Sequence, residues 1–311
     1  MIGPSGRGPA AGGAGPAYDY VLAVGPSRSG TTFLYRLLNA HPGFAAPEIK
    51  EGHYYRSARR LERALRGLRG SGAMLLDVAD TAWSDPRLEE VAAHAGRGKR
   101  ILVVVLLRRH RDWARSTMAY RRSRVLPALP AWLAGPGGLE RATVRDSLTA
   151  AALERIFGLG ADVLTIEFEV LAGRPRAVLD TMARLCRTGP FGGVDGRPVN
   201  RAERARFPPL AAAAKLAAAA LRGLGARRLL QALKDDPRIV GLFFRPARAA
   251  ERPALSEAAA ACLDRRWAAC LAAVEAAGER FGEGLWLARG ARGGGGAAAG
   301  RPRSFPRTRD P

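Results

Sequence analysis

A short segment rich in glycine and hydroxyl side chains has the spacing of an anion-binding loop. An apolar run, Tyr20–Val24, leads into Gly-Pro-Ser-Arg-Ser-Gly-Thr-Thr at 25–32, and a segment with the apolar spacing of a helix follows. The order strand, loop, helix surrounds one anion with backbone N–H groups and a helix N-terminus. The sequence therefore predicts a site for a phosphate-like group.

The loop differs from a nucleotide-binding P-loop at the position of its lysine. In the pattern G-x4-G-K-[ST] a lysine follows the second glycine, whereas Thr31 follows Gly30 in this chain. Arg28 is the only cation in the loop, and the hydroxyl groups of Thr31 and Thr32 add hydrogen-bond donors. We expect the loop to bind a phosphate-like group without the arrangement that holds a metal and a triphosphate.

A second candidate anion contact follows a run of β-branched and aliphatic residues, Ile101–Leu107, which is typical of a parallel strand buried on both faces. The run ends in Arg108, and Ser116 follows on a predicted helix at 111–121. An arginine at the end of a strand and a serine about two turns into the next helix can converge on one anion. The guanidinium group presents a fork of donors that matches phosphate.

Together these motifs resemble those of the sulfotransferases, enzymes that move the sulfuryl group of 3′-phosphoadenosine-5′-phosphosulfate (PAPS) to an acceptor. Bacterial members commonly read G-x-P-[KR]-S-G-T-T in the loop and LR(N/D)P-x-x-R-A-x-S after the buried strand. This chain departs from them by Pro26-Ser27 in place of x-Pro and by His110 in place of proline. The resemblance implies that the 5′-phosphosulfate is bound by Arg28, Ser29, Gly30, Thr31 and Thr32, and the 3′-phosphate by Arg108 and Ser116.

A third segment, KEGHYY at 50–55, resembles the K-E-P-H-F-F stretch of the same family, with Gly52 in place of proline. The family's glutamate is the catalytic base, which implies that role for Glu51, with His53 as the rival base. Sulfuryl transfer requires the acceptor hydroxyl to lose a proton, and a positioned base contributes about 10²- to 10⁴-fold. The resemblance also gives Arg28 a catalytic role at the leaving oxygen. The acceptor pocket is expected to draw on Tyr54, Tyr55, Trp83 and the helical C-terminal third.

The order of the elements predicts an α/β fold: a three-layer parallel sheet flanked by helices, P-loop-NTPase-like, with a helical C-terminal part. The expected strands are 20–24, 73–79, 101–107 and 163–168, and the expected helices are 30–40, 56–69, 86–95, 111–121, 141–158 and 174–187. The strand at 163–168 is expected to close the sheet. Ligands should bind beyond the carboxyl ends of the strands, where the loop and Arg108 both lie.

Residues 18–288 are predicted to form one sulfotransferase domain, in which 190–288 are mostly helical and form the acceptor side, and 285–287 dock onto the rest. The Gly/Pro-rich leader at 1–17 and the Gly/Arg/Pro tail at 289–311 are predicted to be disordered. The leader lacks the apolar core of a signal peptide, and an Ala-rich helix expected at 210–221 is too short to span a bilayer. We therefore expect a cytoplasmic protein.

The formal net charge of +22 favours anionic partners, although the coding bias of a GC-rich genome also explains part of the arginine content. No nucleic-acid-binding motif accompanies the charge, which argues against nucleic acid as the main partner. The three cysteines and four histidines lack metal-ligand spacing, so reduced thiols and no metal are expected. The expected acceptor is a small hydroxylated metabolite, a glycolipid or a saccharide.

Two other functions remain open from the sequence. One is a P-loop nucleotide kinase or NTPase, although the lysine is missing and the strand 101–107 ends in arginine rather than in an aspartate that helps to hold Mg²⁺. Asp77 is the one substitute for that aspartate that the sequence suggests. The other is a protein that binds a nucleotide or nucleic acid without catalysis.

Overall fold

Five parallel strands form the centre of the sheet, and an antiparallel hairpin extends one edge of it. The computed structural model describes residues 15–47, 51–80, 82–124, 137–193, 203–205, 217–218, 221, 223, 244–246 and 253–290. The strands are β1 (Tyr20–Val24), β2 (Phe44–Ala45), β3 (Met74–Ala79), β4 (Ile101–Leu107), β5 (Asp162–Glu167), β6 (Glu203–Ala205), β7 (Phe244–Pro246), β8 (Glu279–Gly282) and β9 (Leu285–Ala288). Their order in the main sheet is β2-β3-β1-β4-β5-β9-β8, while β6 and β7 form a separate antiparallel pair.

Helices cover both faces of the main sheet. They are α1 (Thr31–Asn39), α2 (Ala58–Gly67), α3 (Glu90–Gly96), α4 (His110–Arg124), α5 (Gly138–Arg145), α6 (Ala150–Phe157), α7 (Phe168–Gly173), α8 (Pro175–Cys186) and α9 (Glu257–Ala277). Short 3₁₀ helices lie at Tyr54–Arg56, Ala82–Ser84 and Pro86–Glu89. One core layer joins the sheet to α1 and α8, and the other joins it to α2, α3, α6 and α9.

The predicted α/β fold with helices on both faces and a helical C-terminal part is confirmed. The sheet is mixed rather than wholly parallel, because β9 runs antiparallel to β5 and β8 runs antiparallel to β9. The strand β5 therefore does not close the sheet, and the segment expected to dock at 285–287 is itself a strand beside β5. The predicted helix at 141–158 is two helices, α5 and α6, because Thr149 begins a new helix by accepting a hydrogen bond from the Ala152 N–H at 3.3 Å.

Two neighbouring parallel strands bring the predicted anion contacts to the same edge of the sheet. Val24, the last residue of β1, is paired with Val105 of β4. The loop after β1 and Arg108 after β4 therefore emerge side by side at the carboxyl ends of the strands.

Most of the expected leader, the tail and the Ala-rich helix at 210–221 lies outside the described residues. Within the described ranges, no helix combines the length and the apolar character that crossing a membrane requires.

Candidate functional site

The junction between the loop and α1 is built around Gly30. Its φ of 104° lies in the left-handed region, which glycine adopts without the steric cost of a side chain. A Cβ at this position would lie 2.4 Å from the Phe168 ring, so the loop can pack on that ring only with glycine here. Gly30 has no side chain to cap α1, and the first turn of α1 carries no acidic residue. Such a helix N-terminus favours an anion.

Hydrogen bonds from the neighbouring strand and helix hold the loop in shape. The Trp113 Nε1–H donates to the Ser27 carbonyl at 2.8 Å, and the Arg108 Nη1–H donates to the Arg28 carbonyl at 2.8 Å. Within the loop, the Ser29 N–H donates to the Pro26 carbonyl at 2.9 Å, and the Ser29 side chain is buried beneath the loop. These donors occupy carbonyl oxygens of the loop that would otherwise repel an anion, and the loop is therefore better suited to bind one.

Arg28, Arg108 and Ser116 form one cluster beside the loop, which we call the guanidinium cluster. The Arg28 Nε–H donates to the Ser116 Oγ at 3.4 Å, and the Arg28 guanidinium lies 5.0 Å from the centre of the Tyr120 ring. The Arg108 guanidinium lies 4.6 Å from the centre of the Phe168 ring. The structure therefore brings together three residues that are separated by up to 88 positions in the sequence. A guanidinium group presents several donors to an anionic oxygen, so this cluster favours an anion beside the loop.

His110 supports the backbone at the end of β4. Its Nδ1 lies 3.2 Å from the Arg108 carbonyl oxygen, and its Nε2 lies 2.8 Å from the Leu148 carbonyl oxygen. Burial lowers the pKa of His110. The imidazole ring therefore ties Arg108 to the segment between α5 and α6.

Sequence reasoning missed a carboxylate that touches the loop. The Thr31 hydroxyl donates to the Asp80 Oδ1 at 2.5 Å, and Asp80 directly follows β3. The signal was present in the sequence, because an aspartate after a strand beside β1 lies at the same sheet edge as the loop. Asp77, the aspartate that the sequence suggested for Mg²⁺, is wrong for that role because it is fully buried inside β3.

Glu51 and His53, the two candidate bases, lie on an irregular segment between β2 and α2. Both have left-handed backbones, with φ values of 74° and 50°. Such conformations cost of the order of 1–3 kcal/mol each and persist where the surroundings impose them. Glu51 is exposed and His53 is half-buried. Their roles as bases stay predictions.

Tyr54 and Tyr55, which were expected to contact the acceptor, belong to the core instead. Their exposed fractions are 8% and 0%, so the prediction of an acceptor surface is wrong for both rings. The Tyr55 hydroxyl donates to the Asp85 Oδ2 at 2.6 Å and lies 3.5 Å from the His53 Nδ1. Helix α3 and the neighbouring 3₁₀ helix Pro86–Glu89 contact this segment, so its buried side packs against them.

The Asp85 carboxylate is a fixed charge in this part of the molecule. Burial alone would raise its pKa, but hydrogen bonds from the Tyr55 hydroxyl, the Arg87 N–H and the Arg56 guanidinium lower the pKa of Asp85 to about 2. Burial and the bond to Asp85 raise the pKa of Tyr55. Tyr55 therefore stays a hydrogen-bond donor at neutral pH, and it fixes the position of the ring beside His53.

No protein-family model and no curated protein matches this chain. Among solved structures, it is similar to a sulfotransferase from Alicyclobacillus acidocaldarius, with 21% identity over 70% of this chain and 96% of that chain, at a TM-score of 0.43. It is also similar to the sulfotransferase domain of the Synechococcus PCC 7002 olefin synthase, with 17% identity, 63% and 82% coverage and a TM-score of 0.35. The sulfotransferase domain of the curacin biosynthetic pathway gives 14% identity, 59% and 83% coverage and a TM-score of 0.36. At similarities this low, the function has to be argued from the geometry of the site itself.

Proposed function

We propose that this protein transfers the sulfuryl group of PAPS to a hydroxyl group of an acceptor. The observation that carries the proposal is the guanidinium cluster beside a phosphate-type loop that has no lysine. PAPS carries two separate anionic groups, the 5′-phosphosulfate and the 3′-phosphate. The loop with the α1 N-terminus suits the first group, and Arg108 with Ser116 suits the second. ATP has no 3′-phosphate, so this cluster favours PAPS.

The residues of the loop would act on the leaving group. Arg28 and Thr32 would donate hydrogen bonds to the 5′-phosphosulfate through their side chains, and Thr31 would do so through its backbone N–H, because its hydroxyl donates to Asp80. These bonds strengthen as negative charge moves onto the bridging oxygen. Donors fixed before the reaction stabilise such charge without reorganisation. Because Arg28 also contacts Ser116, it would border the proposed sites of both anionic groups.

Glu51 would accept the proton of the acceptor hydroxyl. As that proton leaves, the acceptor oxygen forms a bond to sulfur while the bond from sulfur to the bridging oxygen breaks, which releases adenosine 3′,5′-bisphosphate. A base placed within hydrogen-bond reach of the hydroxyl is required for this step. His53 is the second candidate for the same proton.

One observation favours a nucleotide kinase as the second candidate function. The Asp80 carboxylate at the loop stands where a carboxylate could help to hold Mg²⁺ beside a bound triphosphate. Against a kinase, Thr31 replaces the lysine that would neutralise the transferred phosphate. A kinase also gives no role to the contact of Arg28 with Ser116 or to the position of Arg108 beside the loop.

The acceptor is proposed to be a small hydroxylated metabolite, a glycolipid or a saccharide. With Tyr54 and Tyr55 in the core, the half-buried Trp83 is the remaining aromatic residue of those predicted from the sequence. Supplying radiolabelled PAPS and a metabolite extract from the source organism would identify the acceptor as the labelled product.

Thermal unfolding in the presence of three nucleotides tests the proposal. Adenosine 3′,5′-bisphosphate should raise the melting temperature most, AMP should raise it much less, and ATP with Mg²⁺ should not exceed the bisphosphate. Equal shifts with AMP and the bisphosphate would remove the 3′-phosphate site. A larger shift with ATP and Mg²⁺ would replace the proposal with the kinase function, and tight bisphosphate binding without transfer would indicate a non-catalytic protein.

A further inference from the structure

A buried carboxyl group in the sheet has no part in the chemistry proposed above. Asp77 lies in β3, opposite Leu22 of β1, and is fully buried. A carboxyl group in such a place is costly unless hydrogen bonds compensate for the lost water. Its Oδ2 accepts two of them, from the Tyr20 hydroxyl at 3.0 Å and from the Tyr54 backbone N–H at 2.8 Å. Burial and the neighbouring Asp77 carboxylate raise the pKa of Tyr20, which keeps its hydroxyl a donor.

The bond to Tyr54 attaches Asp77 to the segment that carries Glu51. Gly52 packs directly against both partners: a Cβ on Gly52 would lie 2.5 Å from the Tyr54 ring and 3.3 Å from the Asp77 Oδ1. Among the described residues, this Oδ1 has no hydrogen-bond donor. The segment therefore lies closely over the carboxyl group, and the left-handed backbones of Glu51 and His53 flank the point of contact.

The strand that holds this segment also contacts the loop. Asp80, immediately after β3, accepts the hydrogen bond from Thr31, while Asp77 holds Tyr54. Three residues along a strand span about 10 Å. We propose that Asp77 is a positioning residue of the transfer reaction: through Tyr54, it holds the segment that carries Glu51 at a fixed place relative to the loop. The inference rests on the proposed function, because that function makes Glu51 the base that has to be positioned.

Hydrogen–deuterium exchange of the full chain tests the positioning without donor or acceptor. In Asp77→Ala the Tyr20 hydroxyl and the Tyr54 N–H lose their acceptor, so exchange at 51–57 should accelerate about 10-fold or more, as expected for a lost bond to a charged acceptor. Exchange at the loop, 25–32, should stay unchanged. Asp77→Asn keeps an acceptor oxygen at the same place and should restore most of the protection.

The matched control is Asp162, a second buried aspartate that accepts a hydrogen bond from a tyrosine hydroxyl. It is the first residue of β5, which lies three strands from β3 in the sheet, and it accepts a hydrogen bond from the Tyr18 hydroxyl at 2.7 Å. Asp162→Ala should lower the melting temperature while leaving exchange at 51–57 and turnover per folded molecule unchanged. A lower melting temperature without faster exchange at 51–57 is therefore not the result expected of a residue that positions this segment.

Turnover of radiolabelled PAPS with the metabolite extract supplies the second readout. Asp77→Ala should lower turnover at saturating PAPS by about 10-fold or more, while the KM for PAPS and the affinity for adenosine 3′,5′-bisphosphate stay within a few-fold. Unchanged exchange at 51–57, or faster exchange with full turnover, would overturn the inference. A parallel loss of bisphosphate affinity and turnover would also overturn it, because it would show a general structural role.

Gly52→Ala carries the same comparison if Asp77→Ala fails to fold. The Cβ that this substitution adds would collide with the Tyr54 ring, so the variant should reproduce the faster exchange at 51–57 and the loss of turnover. The control is Gly67→Ala, because nothing lies within 4 Å of a Cβ at that position. Full turnover in Gly52→Ala would contradict the inference. A wild-type protein that neither binds the bisphosphate nor transfers sulfur would refute the proposed function instead, and the exchange data would still show whether Asp77 holds the segment.

Discussion

Replacing Arg108 with alanine should weaken binding of the 3′-phosphate of the nucleotide but not binding of its 5′-phosphate. In the structure this side chain donates to the Arg28 carbonyl at 2.8 Å and stacks on Phe168 at 4.6 Å, so its guanidinium is already held at the edge of the loop. A hydrogen bond to a charged group contributes about 1.5–3 kcal/mol. Its loss should weaken binding of adenosine 3′,5′-bisphosphate by about 10- to 150-fold. AMP lacks the 3′-phosphate, so its affinity should change only a few-fold through loosening of the loop.

Isothermal titration calorimetry with both nucleotides measures this difference, and Arg109→Ala is the matched control. Arg109 is the next residue, is exposed and carries the same charge, so its loss reports the general electrostatic attraction. That attraction between exposed charges is screened over about 8 Å at physiological salt. A 3′-phosphate contact at Arg108 is ruled out if Arg108→Ala weakens binding of AMP and of the bisphosphate equally, or if Arg109→Ala weakens bisphosphate binding more.

Three further predictions concern the loop, the base and the charge network. Arg28→Ala and Thr32→Ala should each reduce turnover of radiolabelled PAPS more than they reduce bisphosphate affinity, because the hydrogen bonds of these side chains strengthen as the leaving oxygen gains charge. Arg28→Lys should keep substantial activity, and full activity in Arg28→Ala would mean that the loop is only a structural turn. Glu51→Gln should lower kcat by about 10²-fold or more with little change in bisphosphate affinity, and His53→Ala should retain more activity, whereas the reverse order would make His53 the base. Because the pKa of Asp85 is lowered to about 2, its contribution to stability should be present above its ordinary pKa and be lost as the pH falls from about 4 towards 2. Urea unfolding of wild type and Asp85→Asn should thus differ at neutral pH and converge towards pH 2, and a constant difference would contradict this.

The buried parallel strands were readable from the sequence because their signal is local. Ile101–Leu107 is apolar at every position and forms β4 with the predicted bounds. Once β1 and β4 are neighbours, the positions of the loop and Arg108 follow from the chain direction alone. The approach of Arg108 to the loop was therefore predictable from the sequence.

The hairpin formed by β8 and β9 was missed because its strands are only four residues long and β8 is exposed. The Gly-Glu-Gly sequence at 282–284, with Gly284 at a φ of 61°, is the turn signal that could have indicated it. The break between α5 and α6 likewise depends on Thr149 as a cap, which a periodicity argument over 141–158 passes over.

The surroundings of the irregular segment at 51–57 could not be read from the sequence. It has no repeating period, so nothing local decides whether Tyr54 and Tyr55 face the solvent or the core. The Tyr54 backbone and the Tyr55 hydroxyl are bonded to Asp77 and Asp85, which lie 23 and 30 residues away. Such contacts follow from the packing of β3 and its loop against this segment.

Transfer of radioactive sulfur from PAPS is the decisive measurement for the proposed reaction. The protein is incubated with labelled PAPS and the metabolite extract, without added nucleoside triphosphate, and the products are separated. The wild-type protein should yield a labelled organic product together with an equal amount of adenosine 3′,5′-bisphosphate, and Arg28→Ala should yield neither. Phosphate transfer from ATP under matched conditions, with no sulfur transferred from PAPS, would contradict it.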